Sequence, residues 1–243
     1  MKPLYQDSEV TIYNGDALKV LGQLGPVALL LTDPPYSAKT HQGARKLDKG
    51  KVKELVDFKP FTESDLRRFM RKAQPIVARW MIMTTDYKWI GKLEDKTPEG
   101  YDFIRRGVLV KDNAAPQFTG DRPGQGWEQI AFLHRHGRRC AWNGGGRNSV
   151  FRAPVVHGGH PTEKHPKFIS ELIQLFTDPG DLILDPFMGS GVVLRVAKDL
   201  GRRAIGIDID REWCLKAATR VGQGVLPLGN AELPFEPVEA SQG

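Results

Sequence analysis

Asp33-Pro34-Pro35-Tyr36 is the stretch of this chain whose residue types and order are most specific in their chemistry. Two consecutive prolines fix φ at both positions and remove two N–H groups, so the turn is stiff and offers acceptors only. Those acceptors are the Asp33 carboxylate and the Pro34 carbonyl, a pair suited to the two hydrogens of an exocyclic amine. The ring of Tyr36 supplies a plane on which a base can stack. Asp33, Pro34, Pro35 and Tyr36 are therefore the candidate catalytic residues. The competing explanation, a structural turn with a core tyrosine, is weakened by a second motif. Leu184-Asp-Pro-Phe-Met-Gly-Ser-Gly191 reads as a strand end, a glycine turn and a helix start. Gly189 and Gly191 permit positive φ and close backbone approach, while a helix N-terminus offers unpaired N–H groups to a ligand. The spacing departs from G-x-G-x-x-G and lacks the Gly-Lys-Ser/Thr of a phosphate loop, which disfavours NAD and ATP. Asp208, closing a later strand, is where a carboxylate could accept both hydroxyls of a ribose. The ligand expected is nucleoside-like.

Four short apolar runs, each fit for a buried strand, end in an acid and a turn. They are Val10–Tyr13 before Asp16, Val27–Leu31 before Asp33, Leu182–Leu184 before Asp185, and Ala204–Ile207 before Asp208. Helical periodicity fills the space between or after them: Phe168, Ile169, Leu172, Ile173 and Phe176; Val192, Val193, Val196, Ala197 and Leu200, stopped by Gly201; and Trp213, Ala217, Ala218 and Val221. Strand and helix alternation with fully apolar strands predicts an α/β fold, a doubly wound and mostly parallel sheet, with the four acids on its carboxyl rim. In the middle, Thr62–Lys72 reads as a helix opened by a Thr62-x-x-Asp65 cap and Ile76–Thr84 as the next strand. Phe103–Val110 and Trp127–Leu133 read as an antiparallel pair at one sheet edge.

The chain has 243 residues, 40% hydrophobic and 26% charged, enough for one core of good size, and a single domain over 1–243 is expected. Its 26 Gly and 17 Pro suit a loop-rich enzyme better than a helical bundle. Val27–Leu31 is its longest apolar run, far short of a membrane span, and no signal peptide opens it, so a cytosolic protein is expected. Cys140 and Cys214 are far apart and form no Cys-x-x-Cys pair, so neither a disulfide framework nor a zinc site is indicated. Cys214 reads as core filler and Cys140 as a reduced loop residue. His134-x-His136 and the histidines of 157–165 do not have convincing metal-ligand spacing, so no metal is expected. The net charge of +6 is concentrated: Ser37–Lys53 carries +5 and Leu133–Arg152 another +5 on an otherwise acidic body. Such segments fit a polyanion, with solvated loops as the alternative. A tail from about 225 to 243, with three prolines and no periodicity, reads as partly disordered.

Asp33-Pro-Pro-Tyr36 together with Asp185-Pro-Phe-Met-Gly-Ser-Gly191 resembles the S-adenosylmethionine-dependent amino-DNA methyltransferases. The order, catalytic motif first and cofactor motif late, is similar to their permuted beta class. Asn14-Gly15-Asp16 resembles the short upstream motif whose acid meets the cofactor adenine. His160-Pro161-Thr162-Glu163-Lys164 resembles the motif before the cofactor loop, usually His-Pro-Thr-Gln-Lys-Pro; Glu163 and the intervening His165 depart from it. Gly206-Ile207-Asp208 resembles the ribose-binding strand end. The resemblance implies a Rossmann-like methyltransferase fold, circularly permuted, with S-adenosylmethionine as cofactor. It implies cofactor contacts from Asp16, Thr162, Lys164, Asp185, Pro186, Phe187, Gly189, Ser190, Gly191 and Asp208. It further implies methyl transfer to adenine N6 of a base flipped out of double-stranded DNA, with Asp33 and Pro34 as amine acceptors and Tyr36 holding the base.

The two basic segments would straddle phosphates beside the flipped base, giving Lys39, His41, Arg45, Lys46, Arg138, Arg139, Trp142, Asn143 and Arg147 as DNA-contacting residues. Gly144-Gly145-Gly146 among them suggests a mobile loop carrying base-reading side chains. A cytosine-N4 enzyme remains open, since Asp-Pro-Pro-Tyr is more usual for adenine and Ser-Pro-Pro-Tyr for cytosine in the family. An RNA or protein methyltransferase and a non-catalytic DNA-binding relative remain open too. Cytosine C5 methylation is disfavoured because neither cysteine follows a proline. The compact size suits a solitary, prokaryotic or phage-borne enzyme, and a homodimer is left open.

Overall fold

Leu29, Leu30 and Leu31 are consecutive and all buried because the strand that carries them is covered on both faces. Leu29 and Leu31 belong to one apolar cluster and Leu30 to the other, the period-two alternation of a central strand. The computed structural model describes residues 1–35, 61–156 and 163–223. The expectations for Tyr36, Lys39, His41, Arg45, Lys46, Thr162 and the tail fall outside the described residues, as does the whole basic segment 37–53.

Among the described residues the chain order is β1 (Tyr5–Gln6), β2 (Val10–Asn14), α1 (Ala17–Leu21), β3 (Val27–Thr32), α2 (Glu63–Ala73), β4 (Val77–Thr85), α3 (Tyr87–Asp95), β5 (Tyr101–Lys111), β6 (Trp127–Arg135) and β7 (Val150–Ala153). Then follow α4 (Pro166–Phe176), β8 (Leu182–Asp185), α5 (Val192–Asp199), β9 (Arg203–Asp208) and α6 (Arg211–Gly222). The strands form one sheet in the order β1-β2-β9-β8-β3-β4-β6-β5-β7. From β2 to β4 every neighbouring pair is parallel. Side chains of α4, α5 and α6 fill one face, and those of α1, α2 and α3 fill the other. No described helix is long and apolar enough to cross a membrane.

Local signals explain the helix ends. Thr62 and Asp65 make a reciprocal capping box on α2. His165, the residue that breaks the family motif, caps α4: its Nδ1 accepts the Lys167 N–H at 3.1 Å, and Pro166 follows in the first turn. Gly201, at φ +72°, takes the left-handed position just beyond α5.

The antiparallel pair is present as β5 and β6, but it is not the sheet edge. β6 also pairs antiparallel with β4, and β7 adds parallel to the outside of β5. The edge strand β7 begins in the last residues of the basic segment 133–152 and ends just beyond it, at positions to which the sequence reading assigns no strand. Its four residues, Val-Phe-Arg-Ala, are too few for a pattern to stand out.

Candidate active site

Because β2, β9, β8 and β3 run parallel and adjacent, their ends bring Asp16, Asp208, Asp185 and Asp33 to one rim. Asp185 is buried at the end of β8. Its Oδ1 accepts the Thr32 hydroxyl at 2.7 Å and the Phe187 N–H at 3.2 Å, and among the described residues no cation pairs with it. Burial, with the nearby Asp33 and Asp208 charges, pushes its carboxyl up to about 7. Asp208 is also buried; its carboxylate accepts the Gly189 N–H at 2.9 Å and the Asp210 N–H at 2.8 Å. Burial raises its pKa above the usual carboxylate range, against those two hydrogen bonds. Asp16 is exposed on the same rim and caps α1, accepting the Leu18 N–H at 2.8 Å.

The glycine turn between β8 and α5 has the expected geometry, with Gly189 at φ +48° and Gly191 at φ +74°. A side chain at Gly191 would put its Cβ 2.6 Å from the Cβ of Ala217 on α6. Gly191 leads α5 with no side-chain cap, so that helix end keeps unpaired N–H groups beside the turn. Pro186 is buried, and Phe187 turns into the other face, 5.1 Å from the Phe69 ring and 5.4 Å from the Phe61 ring. Buried Ser190 accepts from Arg220 of α6 at 3.1 Å. The same guanidinium meets both carboxylate oxygens of Glu163, at 3.0 and 3.3 Å, so this departure from the family's glutamine has its charge matched by Arg220.

Asp33 lies just past β3 with Pro34 buried behind it. The Thr84 hydroxyl at the end of β4 bonds its Oδ1, and the Lys164 ammonium reaches its Oδ2 at 2.5 Å. Lys164 is also 3.3 Å from Glu128 Oε2. Lys164, expected to contact the cofactor, pairs here with the Asp33 carboxylate. Thr32, Thr84 and Glu128 were missed by sequence reasoning. The signal available was polar residues closing or interrupting apolar strands, a pattern that says nothing about which partner each will meet.

The segment expected to contact DNA begins at the end of β6. Since β6 runs antiparallel to β4, with His134 opposite Trp80 and Gln129 opposite Thr85, β6 leaves the sheet at the end opposite Asp33. Arg138 and Arg139 are exposed at that far end. Trp142 packs on Phe176, with ring centroids 5.7 Å apart, and the Asn143 amide donates to Gln174 O at 3.0 Å and Thr177 O at 3.2 Å. Arg147 pairs with Glu171 and lies 5.4 Å from the Phe151 ring. Trp142, Asn143 and Arg147 thus fasten the segment to α4. Cys214 is buried core, its thiol pushed up to about 12 by burial, and Cys140 is exposed.

A family model described as DNA methylase (N6/N4 methyltransferases) matches residues 141–219, which include α4, the glycine turn, α5 and most of α6. Over that third of the chain it is similar to the amino-DNA methyltransferases. The type II methyltransferase M2.DpnII of Streptococcus pneumoniae is 26% identical over 90% of this chain and 92% of its own. M2.LlaDCHI of Lactococcus lactis subsp. cremoris, also a type II methyltransferase, is 25% identical over 92% and 93%. Among solved structures, the cytosine-N4-specific PvuII DNA methyltransferase superposes with a TM-score of 0.71 at 15% identity, over 90% of this chain and 88% of that one. The complex of M1.HpyAVI with S-adenosylmethionine gives 0.65 at 23%, over 87% and 98%. Members of the family depend on S-adenosylmethionine. The strand-end cradle of this chain fits that cofactor: it joins a glycine turn that a Cβ would fill, an uncapped helix start and two buried carboxylates that lack a paired cation among the described residues.

Proposed function

We propose that this protein methylates the N6 amine of adenine in DNA, with S-adenosylmethionine as methyl donor. The observation that carries the reading is the Asp33 carboxylate, held through both oxygens on the same rim as the Asp185 and Asp208 cradle. The two bacterial relatives, both type II methyltransferases, support a DNA substrate. An aspartate at the head of the Pro-Pro-Tyr turn favours adenine over cytosine.

The cofactor supplies an electrophilic methyl group on a sulfonium. Residues of this chain prepare the nucleophile. The lone pair of an exocyclic amine is delocalised into the ring, and two acceptors on its hydrogens draw it out of conjugation. Asp33 accepts one N–H and the Pro34 carbonyl the other. After transfer, the Asp33 carboxylate is the base that takes the proton the nitrogen sheds. Pro34 and Pro35 keep the turn from relaxing. Tyr36 is assigned the stacking plane for the flipped base from its sequence position. Asp16, Asp185, Gly189, Gly191 and Asp208 are assigned to the cofactor.

Labelled methyl transfer to unmethylated duplex DNA, followed by nucleoside mass spectrometry, tests the base assignment. N6-methyladenine is the expected product. N4-methylcytosine would overturn the base and keep the acceptor chemistry.

A further inference from the structure

Glu128, near the start of β6, is a carboxylate in a strand that continues through buried Ile130, Ala131, Phe132 and Leu133. It lies between two ammonium groups. Lys111, at the end of β5, is 2.5 Å from its Oε1, and Lys164 is 3.3 Å from its Oε2. Lys164 then reaches Asp33 Oδ2 at 2.5 Å. The charges alternate, cation, anion, cation, anion, across β5, β6, the segment before α4 and the end of β3. Burial pushes the Glu128 carboxyl up, yet Lys164 and Lys111 hold it below the usual carboxylate range, so it stays ionised.

In a site largely shielded from water, an ammonium held by one carboxylate alone closes on it as a tight pair. Such a pair would compete with an incoming amine for Asp33 Oδ2. A second carboxylate on the ammonium divides that attraction, and Lys111 compensates the second carboxylate in turn. We propose that Glu128 is a positioning residue for methyl transfer: by sharing the Lys164 ammonium with Asp33, and being held itself by Lys111, it fixes the Asp33 carboxylate while leaving Oδ2 able to accept the amine. This rests on the reading of Asp33 as the amine acceptor.

Glu128→Gln keeps the shape and removes the charge. Its kcat for methyl transfer is expected to fall about 10- to 100-fold, the scale of a small misplacement of a reacting group. S-adenosylmethionine affinity should stay within about twofold, because the Asp185 and Asp208 cradle is untouched. In a Lys164→Met background the same substitution should cost almost nothing further, since both act through Asp33. An unchanged kcat, or losses that multiply fully in the double variant, would overturn the proposal. A second readout is independent of turnover: the ¹⁵N-resolved ammonium signal of Lys164, slow to exchange in the wild type, should broaden into solvent exchange in Glu128→Gln. If the wild type transfers no methyl group to DNA, the functional reading fails, and an unchanged Lys164 signal in Glu128→Gln would overturn the positioning claim as well. Should Glu128→Gln fail to fold, Lys111→Gln, on the outer cation, takes its place, with the same pattern expected at a smaller fold-change and an unaltered kcat again overturning the claim.

Discussion

Asp185 is buried with two other carboxylates nearby, and these raise its carboxyl to about 7 against the hydrogen bonds it accepts from the Thr32 hydroxyl and the Phe187 N–H. The folded state therefore binds a proton more tightly than the unfolded chain does. The stability this confers is fully present below the ordinary carboxylate range and is lost as pH rises through about 7. A cation-bearing cofactor favours the ionised form, so the sign reverses for binding. S-adenosylmethionine affinity, measured by calorimetry, should strengthen about tenfold from pH 6 to pH 8, and Asp185→Asn should flatten the dependence. A flat wild-type profile would remove Asp185 from the cofactor site. At this scale the strand-end acids could be read from the sequence, because each closes an apolar run before a turn. The pairing of Lys164 with Asp33 could not, since the two are 131 positions apart and nothing local encodes the contact.

The turn between β8 and α5 shows what an element must supply to hold a ligand. Gly191 sits at positive φ, and a methyl group there would meet Ala217 on α6. Gly191→Ala is expected to cost about 1–3 kcal/mol in chemical unfolding. It should also weaken cofactor binding, because the strain would be relieved by shifting the start of α5; unchanged stability and affinity would contradict that role for the turn. The longer helices and the parallel strands were legible through period and apolar content, and the caps Thr62 and Gly201 marked their ends. The five-residue helix α1 and the four-residue strand β7 were not, because neither is long enough to establish a period. α3 went unread as well, although Asp86 caps it with bonds to the Lys88 and Trp89 N–H groups.

Over the whole molecule, strand direction decides which charges can reach the substrate. Both basic segments were legible as charge, but charge carries no direction, and the antiparallel course of β6 sends Arg138 and Arg139 to the far end of the sheet before β7 returns Arg152 toward the other. Substituting Arg138 and Arg139 by Gln should leave duplex affinity within about twofold. The same exchange at Lys39, Arg45 and Lys46, which follow the Asp33 motif in sequence, should weaken binding and reduce the salt slope by roughly 0.9 for each phosphate no longer neutralised. Trp142→Ala should lower stability by about 2 kcal/mol, less than a fully buried tryptophan costs, with base preference unchanged. Filter binding across salt concentrations, with chemical unfolding and a methylation-site map of each variant, checks all three. A collapse of affinity in the Arg138 and Arg139 variant would contradict the placement.

The role of Asp33 as the amine acceptor of a DNA methyltransferase underlies every other assignment, and single-turnover methyl transfer by Asp33→Asn beside the wild type, with cofactor affinity measured in both, tests it. Methylated exocyclic amine is expected from the wild type, with a rate lower by roughly 10²–10⁴ in the variant and S-adenosylmethionine bound equally well by the two. Wild-type rates in the variant, or a wild type that binds the cofactor and leaves DNA unmodified, would contradict that role.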